Sequence, residues 1–172
     1  LFKLPEFVNK MMENKWLGSK SGQGFYKKEG KEILALDLDT LEYRASKKAS
    51  FATLELTKTI DKPIDRFKVL VKGKDKAGDF YRKNFASMFQ YCSNRIPEIT
   101  EDFYKIDDAM KAGFGWENGP FEIWDAIGVE KGIELMKAEG YTPAAWVNDM
   151  IAAGNTSFYS IKEGATHFYS IT

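Results

Sequence analysis

Ile106-Asp107-Asp108-Ala109-Met110-Lys111-Ala112-Gly113-Phe114-Gly115-Trp116-Glu117-Asn118-Gly119-Pro120-Phe121-Glu122-Ile123-Trp124-Asp125-Ala126-Ile127-Gly128 is the densest local signal in the chain. It reads as a helix with a glycine cap at Gly113, a tight aromatic loop, and a second helix. Gly119-Pro120 opens the second helix, because proline suits the first turn, where its missing N–H would be unpaired anyway. Gly128 closes it. Two helices meeting at such a corner pack closely, so Gly113, Gly115, Gly119, Pro120, Asp125 and Gly128 are expected to form a structural motif. Asp125 falls in a helix interior, where a carboxylate needs either solvent or a partner. A different reading of the same corner has Phe114, Trp116 and Phe121 present an aromatic surface to a ligand or a partner chain.

Working outward, Thr100 or Asp102 is placed to cap the first of these helices. Before it, a helix over about 78–95 carries Phe80, Tyr81, Phe85, Met88, Phe89 and Cys92, and Pro97 stops it. A short basic helix at about 64–72 and a helix that starts near Ser50 and ends before Pro63 precede that one. Downstream come helices over about 129–139 and 143–153, then an alternating tail, 157–172, that reads as a hairpin. At the start, residues 1–5 look like the approach to a helix on which Phe7, Val8, Met11, Met12 and Trp16 share a face. A glycine-rich loop at 18–24 leads into a hairpin of 25–28, the turn Glu29-Gly30, and 31–36. The expected fold is mainly α, with two short β-hairpins.

One unit occurs twice. Pro5…Val8-Asn9-Lys10-Met11 is followed by Phe25-Tyr26-Lys27-Lys28-Glu29-Gly30, and Pro143…Val147-Asn148-Asp149-Met150 by Phe158-Tyr159-Ser160-Ile161-Lys162-Glu163-Gly164. The repetition of order and chemistry favours duplication. Residues 1–45 are then the tail of a first helical repeat, and 46–172 a second repeat with its terminal hairpin. Leu1 is not an initiator Met, and the far end stops with no closing element. The chain therefore reads as a piece of a longer protein, with the front of the first repeat upstream of Leu1.

Composition narrows the function. In 172 residues, 25 basic and 25 acidic side chains balance to a net charge of zero, which argues against a dedicated nucleic-acid binder. Residues 58–83 are nevertheless basic and 98–139 acidic, as solvated helix faces or as a surface for an anionic ligand. One Cys excludes an internal disulfide and fits a reducing, cytoplasmic compartment. There is no apolar run long enough for a membrane span and no signal peptide. Catalysis needs convergent polar groups. The single His, His167, lies in the tail hairpin, Cys92 reads as a core residue, and Asp107-Asp108 cannot be told from a solvated helix face. No spacing suggests a metal site. Neither Gly22-Gln23-Gly24 nor Gly113-Phe114-Gly115 follows a hydrophobic strand, as a dinucleotide-binding loop must, so no Rossmann domain is present.

The stretch 106–128 resembles the signature of the C-terminal domain of 3-hydroxyacyl-CoA dehydrogenases, in its Ile-Asp-x-Ala-Met and Gly-Phe-Gly-Trp-x-x-Gly-Pro-Phe-x-x-x-Asp-x-x-Gly. Gly18-Ser19-Lys20-Ser21-Gly22-Gln23-Gly24-Phe25-Tyr26 is similar to the loop that closes the first helical repeat in that family. Asn94-Arg95-Ile96-Pro97-Glu98 resembles the helix that opens the second repeat's core. The likeness covers nearly the whole chain and is nearest to long bacterial members, often fused to an enoyl-CoA hydratase module.

The resemblance implies a helical bundle of the 6-phosphogluconate dehydrogenase C-terminal-like type. It implies oxidation of (S)-3-hydroxyacyl-CoA with NAD, a step of fatty-acid β-oxidation. In the family a His–Glu pair and the NAD-binding glycines belong to a Rossmann domain, which this sequence lacks. No catalytic, cofactor-binding or metal residue is therefore expected here, and no turnover by the chain alone. Asn94 is the second-repeat counterpart of an asparagine that assists substrate in the family. With Phe114, Trp116 and Phe121 it forms the set expected to face substrate or a partner. The implied partners are acyl-CoA, the Rossmann domain and first repeat of the same parent, an enoyl-CoA hydratase module, and a second copy in a homo-oligomer. The alternative is a free-standing helical dimerisation module without redox activity, since a fold by itself does not fix a function.

Overall fold

The computed structural model describes residues 3–171, so the readings of Leu1, Phe2 and Thr172 lie outside the described residues. The chain divides into two compact units, Leu1–Ala49 and Ser50–Thr172.

The first unit holds helix α1 (Glu6–Glu13), a 3-10 turn (Ser19–Ser21) and strands β1 (Tyr26–Glu29), β2 (Glu32–Leu36) and β3 (Tyr43–Ala45). The helix ends before Trp16, earlier than its apolar spacing suggests. Lys15 turns left-handed (φ 58°), and the N–H groups of Lys15 and Trp16 return to the carbonyls of Met12 and Met11, which closes the last turn. The strands form an antiparallel sheet in the order β1-β2-β3, with Tyr26 opposite Ala35 and Leu36 opposite Tyr43. The expected hairpin is thus a three-stranded sheet. The third strand is held by Asp37, whose carboxylate accepts from the Asp39 and Thr40 amides and pairs with Arg44 at 2.9 Å. Among the described residues Met11 and Leu36 are the buried side chains of this small unit.

The second unit holds seven helices and a hairpin among the described residues. They are α2 (Ala52–Thr57), α3 (Pro63–Leu70), α4 (Lys76–Asn94), α5 (Phe103–Phe114), α6 (Pro120–Ile127), α7 (Val129–Ala138) and α8 (Ala145–Ala152), then β4 (Tyr159–Lys162) and β5 (Ala165–Phe168). The fold is mainly α, as the periodicity predicts. Asp75 caps α4, accepting from the amides of Gly78 and, across to α2, Thr53; the Thr53 bond leads in holding its carboxyl down at about 2. Asp102 stands at the N-cap of α5, but its carboxylate pairs with Lys105 and does not cap.

Aromatic rings fill the core. Phe89 stacks on Trp124 at 4.7 Å, and Phe158 lies within 5.0–5.7 Å of Trp124, Phe121, Phe103 and Trp146. Each fully buried ring of this kind adds roughly 1.5–3 kcal/mol of transfer free energy. The two indole N–H groups, which would be costly to bury unpaired, donate to the Val129 and Ser93 carbonyls at 3.0 Å. Cys92 packs against this core, where burial pushes its thiol up to about 11, so it serves as an apolar filler. Among the described residues no helix is long and apolar enough to cross a membrane.

Candidate functional site

The corner between α5 and α6 begins with a helix that cannot cap itself. Its N-cap is Gly119, which has no side chain to offer the first-turn amides. Asp107, one helix earlier and fully buried, supplies the acceptor. Its carboxylate takes hydrogen bonds from the Phe121 N–H at 2.9 Å, the Glu122 N–H at 3.0 Å and the Tyr159 hydroxyl at 2.9 Å. A Cβ on Gly119 would overlap Asp107, so the absent side chain is what admits the carboxylate. Glu122 reaches back to the Gly119 N–H at 2.8 Å and is paired with Lys111 at 2.8 Å.

Asp125 finds the partner that its position demands. It accepts from the Phe158 N–H at 2.7 Å and the Tyr159 N–H at 2.8 Å, at the entry of the β4–β5 hairpin. Tyr159 therefore bridges the two acids, with its amide on Asp125 and its hydroxyl on Asp107. Burial raises both carboxyls to about 6, against the hydrogen bonds that favour the charged forms. Burial, followed by the Asp107 charge, also pushes the Tyr159 hydroxyl upward. These groups act as structural fasteners. All the donors are already engaged, and α6's first amides have no room for a phosphate.

The remaining predicted positions fall as follows. The glycine cap of α5 is Gly115, with left-handed φ of 67°; Gly113 is a residue of the helix itself, before the point at which the chain reverses. Gly128 follows α6 with φ of 102°, and Pro120 starts it. Phe121, expected to face a ligand or partner, is instead fully buried, because it stands on the α6 face that packs on Phe103 and Phe158. Phe114 is exposed and Trp116 partly so. Asn94 folds its amide back onto the Gln90 carbonyl at 2.9 Å.

An open, largely apolar groove of about 380 Å³ lies beside this corner, lined by Phe67, Phe85, Met88, Ile123, Trp116 and Asn118. That volume lies in the range of small-molecule sites. Of the expected set only Trp116, with Gly115 beside it, lines the groove; Asn94, Phe114 and Phe121 do not. Sequence reasoning missed Asp107 and Tyr159. The available signal was Gly119-Pro120, a helix start with no side-chain cap, which requires an acceptor from elsewhere.

The glycine clusters do not fit a dinucleotide. Gly22 and Gly24 lie between a 3-10 turn and β1, and Gly113 to Gly119 join two helices whose free amides are taken by Asp107 and Glu122. Among the described residues no three His, Cys, Asp or Glu side chains gather as a metal site.

Residues 82–166, from α4 to β5, match the family model described as the C-terminal domain of 3-hydroxyacyl-CoA dehydrogenase. They contain Asp107, Asp125 and Tyr159. The class is thus that of a dehydrogenase helical domain. A protein of Bacillus subtilis (strain 168) named as a 3-hydroxyacyl-CoA dehydrogenase is 43% identical over 169 residues, 98% of this chain and 21% of that protein. A protein of Rickettsia felis named as a fatty acid oxidation complex trifunctional enzyme is 28% identical over 120 residues, 67% of this chain and 15% of its own. Its namesake in Rickettsia prowazekii is 27% identical over 132 residues, 74% of this chain and 17% of its own. The chain spans about a fifth or less of the length of these relatives. No solved structure matches it. By this domain the chain belongs to the 3-hydroxyacyl-CoA dehydrogenase family.

Proposed function

We propose that the chain is the C-terminal helical part of an NAD-dependent (S)-3-hydroxyacyl-CoA dehydrogenase of cytoplasmic fatty-acid β-oxidation. In this reading it covers the acyl-CoA cleft and supplies domain or dimer contacts. NAD and the reacting groups belong to a Rossmann domain elsewhere in the parent, so the chain alone does not turn over. The observation that carries the reading is the apolar groove lined by Trp116, Phe85, Met88 and Ile123, all inside the region that matches the family domain. The trifunctional names of two relatives support a parent with further catalytic modules, for which enoyl-CoA hydratase is our candidate.

We also propose that residues 1–45 and 46–172 derive from two copies of one helical repeat. The two helix–hairpin modules support this. Helix α1 ends with the Lys15 N–H on Met12 and the Trp16 N–H on Met11, and α8 with the Gly154 N–H on Ile151 and the Asn155 N–H on Met150, a closure that α7 shares.

Titration of the chain with a medium-chain 3-hydroxyacyl-CoA, followed by tryptophan fluorescence and calorimetry, tests the function. The expected result is weak saturable binding that Trp116→Ala reduces, with NADH formed only by the full-length chain encoded by the gene. Self-association with no response to ligand, and no dehydrogenase activity in the full-length chain, would instead establish a free-standing helical module.

A further inference from the structure

Lys72-Gly73-Lys74-Asp75-Lys76 joins α3 to α4, and none of it lines the Trp116 groove. This turn is pinned against the start of α2. A Cβ on Gly73 would overlap the Thr53 side chain, and the Thr53 N–H donates to Asp75 at 2.9 Å. From within α4, Arg82 donates to the Val71 and Gly73 carbonyls. The acid of the run is spent inward, because its other oxygen caps α4 through the Gly78 N–H at 3.0 Å. Lys72, Lys74 and Lys76 are exposed, and among the described residues none of them has an ion-pair partner. Lys58, Lys68 and Lys83, by contrast, pair with Glu55, Asp65 and Asp79. Three uncompensated ammonium groups therefore stand on one fixed turn.

Next to that turn is an open pocket of about 290 Å³, lined by Phe51 and Leu54 at the start of α2 and by Lys76, Ala77, Phe80 and Tyr81 at the start of α4. Phe80 is 59% exposed, although a large apolar ring gains by cover. Tyr81 packs on Phe85 at 5.9 Å, and Phe85 lines the Trp116 groove. The two cavities thus follow one another along α4, at residues 76–81 and 85–88. Aromatic rings beside lysines are the parts of a nucleotide site, since rings stack on a base and ammonium groups neutralise phosphates.

We propose that this pocket holds the adenosine-phosphate end of a CoA thioester, with the base against Phe51, Phe80 and Tyr81 and the phosphates on Lys72, Lys74 and Lys76. In such a molecule the base and the phosphates are neighbours, as the pocket and the lysines are here. The acyl chain is carried away from them by the pantetheine arm, as the Trp116 groove stands further along α4. A phospholipid is a poorer occupant, because its chains lie directly beside its phosphate and need more apolar room than about 290 Å³. The choice of CoA among nucleotides rests on the function proposed above, whereas the nucleotide site itself rests on the pocket and its lysines.

Calorimetric titration of the 172-residue chain with adenosine 3′,5′-bisphosphate, coenzyme A, octanoyl-CoA, ATP and pyrophosphate tests the proposal. The bisphosphate is expected to bind saturably, and more weakly as salt is raised. Replacing the lysines together, as Lys72→Gln, Lys74→Gln and Lys76→Gln, should weaken it about tenfold or more, and Phe80→Ala about fivefold or more, with melting temperatures unchanged. Trp116→Ala should leave bisphosphate binding as it is and remove the extra affinity that octanoyl-CoA has over coenzyme A. Pyrophosphate binding as tightly as the bisphosphate would reveal a site for anions alone, and ATP binding as tightly as octanoyl-CoA a site for free nucleotides; either result overturns the proposal. Bisphosphate binding that is absent, or unchanged by the lysine replacements, also overturns it, while octanoyl-CoA binding that still depends on Trp116 upholds the proposed function. Lysine-dependent bisphosphate binding with no gain from the octanoyl chain upholds the nucleotide site and counts against the groove as an acyl site.

Discussion

Phe158 and Phe25 occupy corresponding places in two helix–hairpin modules, yet one is the centre of an aromatic cluster and the other is half exposed. Local sequence explains why both modules form: each has a helix with one apolar face, a glycine-assisted reversal and a hairpin of alternating residues. It does not explain the burial of Phe158. That comes from α5, α6 and α8, which together place two acids and four aromatic rings around the hairpin entry. A hairpin is thus anchored by what accepts its outward amides as much as by its own strand pairing.

The largest test of this contrast is to truncate both phenylalanines. Phe158→Ala removes a fully buried ring and is expected to cost about 3–5 kcal/mol in urea denaturation, near the limit of what the second unit can lose. Phe25→Ala should cost less than about 1 kcal/mol in the same chain. Equal costs would break the comparison.

The capping arrangement comes next. Gly119→Ala forces a methyl group into Asp107 and should destabilise by about 3 kcal/mol. Pro120→Ala, which removes only a favourable backbone restriction, should lower stability by less than about 1 kcal/mol. An unchanged melting temperature for Gly119→Ala would refute the role given to this corner.

The buried acids predict a pH dependence of particular sign. Below about pH 4 the folded and unfolded chains both hold the Asp107 and Asp125 protons. Between there and pH 6 only the folded chain holds them, because burial has raised both carboxyls to about 6. Stability from this pair is therefore present at low pH and falls as pH rises to 6, by on the order of 2 kcal/mol for each group. Urea midpoints should be higher at pH 5 than at pH 7.5, and Asp107→Asn should shrink that difference. The opposite slope would mean that the hydrogen bonds outweigh burial.

The smallest expected effect separates the two tyrosines. Tyr159→Phe deletes one hydrogen bond to a buried carboxylate and should cost about 1 kcal/mol. Tyr26→Phe in the 172-residue chain should be neutral, and thermal melts of the pair suffice to compare them.

The sequence showed most of the helical order, because apolar spacing, proline and glycine act locally. It placed α6 at Pro120 and its end at Gly128, and it marked Asp125 as a carboxylate in need of a partner. The third strand of the small sheet escaped it, since Tyr43 to Ala45 is too short to show alternation. So did the true cap of α5. Gly113 and Gly115 look alike in sequence, and only the left-handed φ of Gly115 separates them.

What the sequence determined by itself is the mainly helical class and the family signature at 106–128. Both depend on residues near one another along the chain. Tertiary structure alone decided that Asp107 is buried and Asp108 exposed, that Phe121 turns inward and Trp116 lines a groove, and that Tyr159 ties two acids together. Those outcomes depend on residues as far apart as Asp107 and Tyr159, which become neighbours only when the aromatic core has closed.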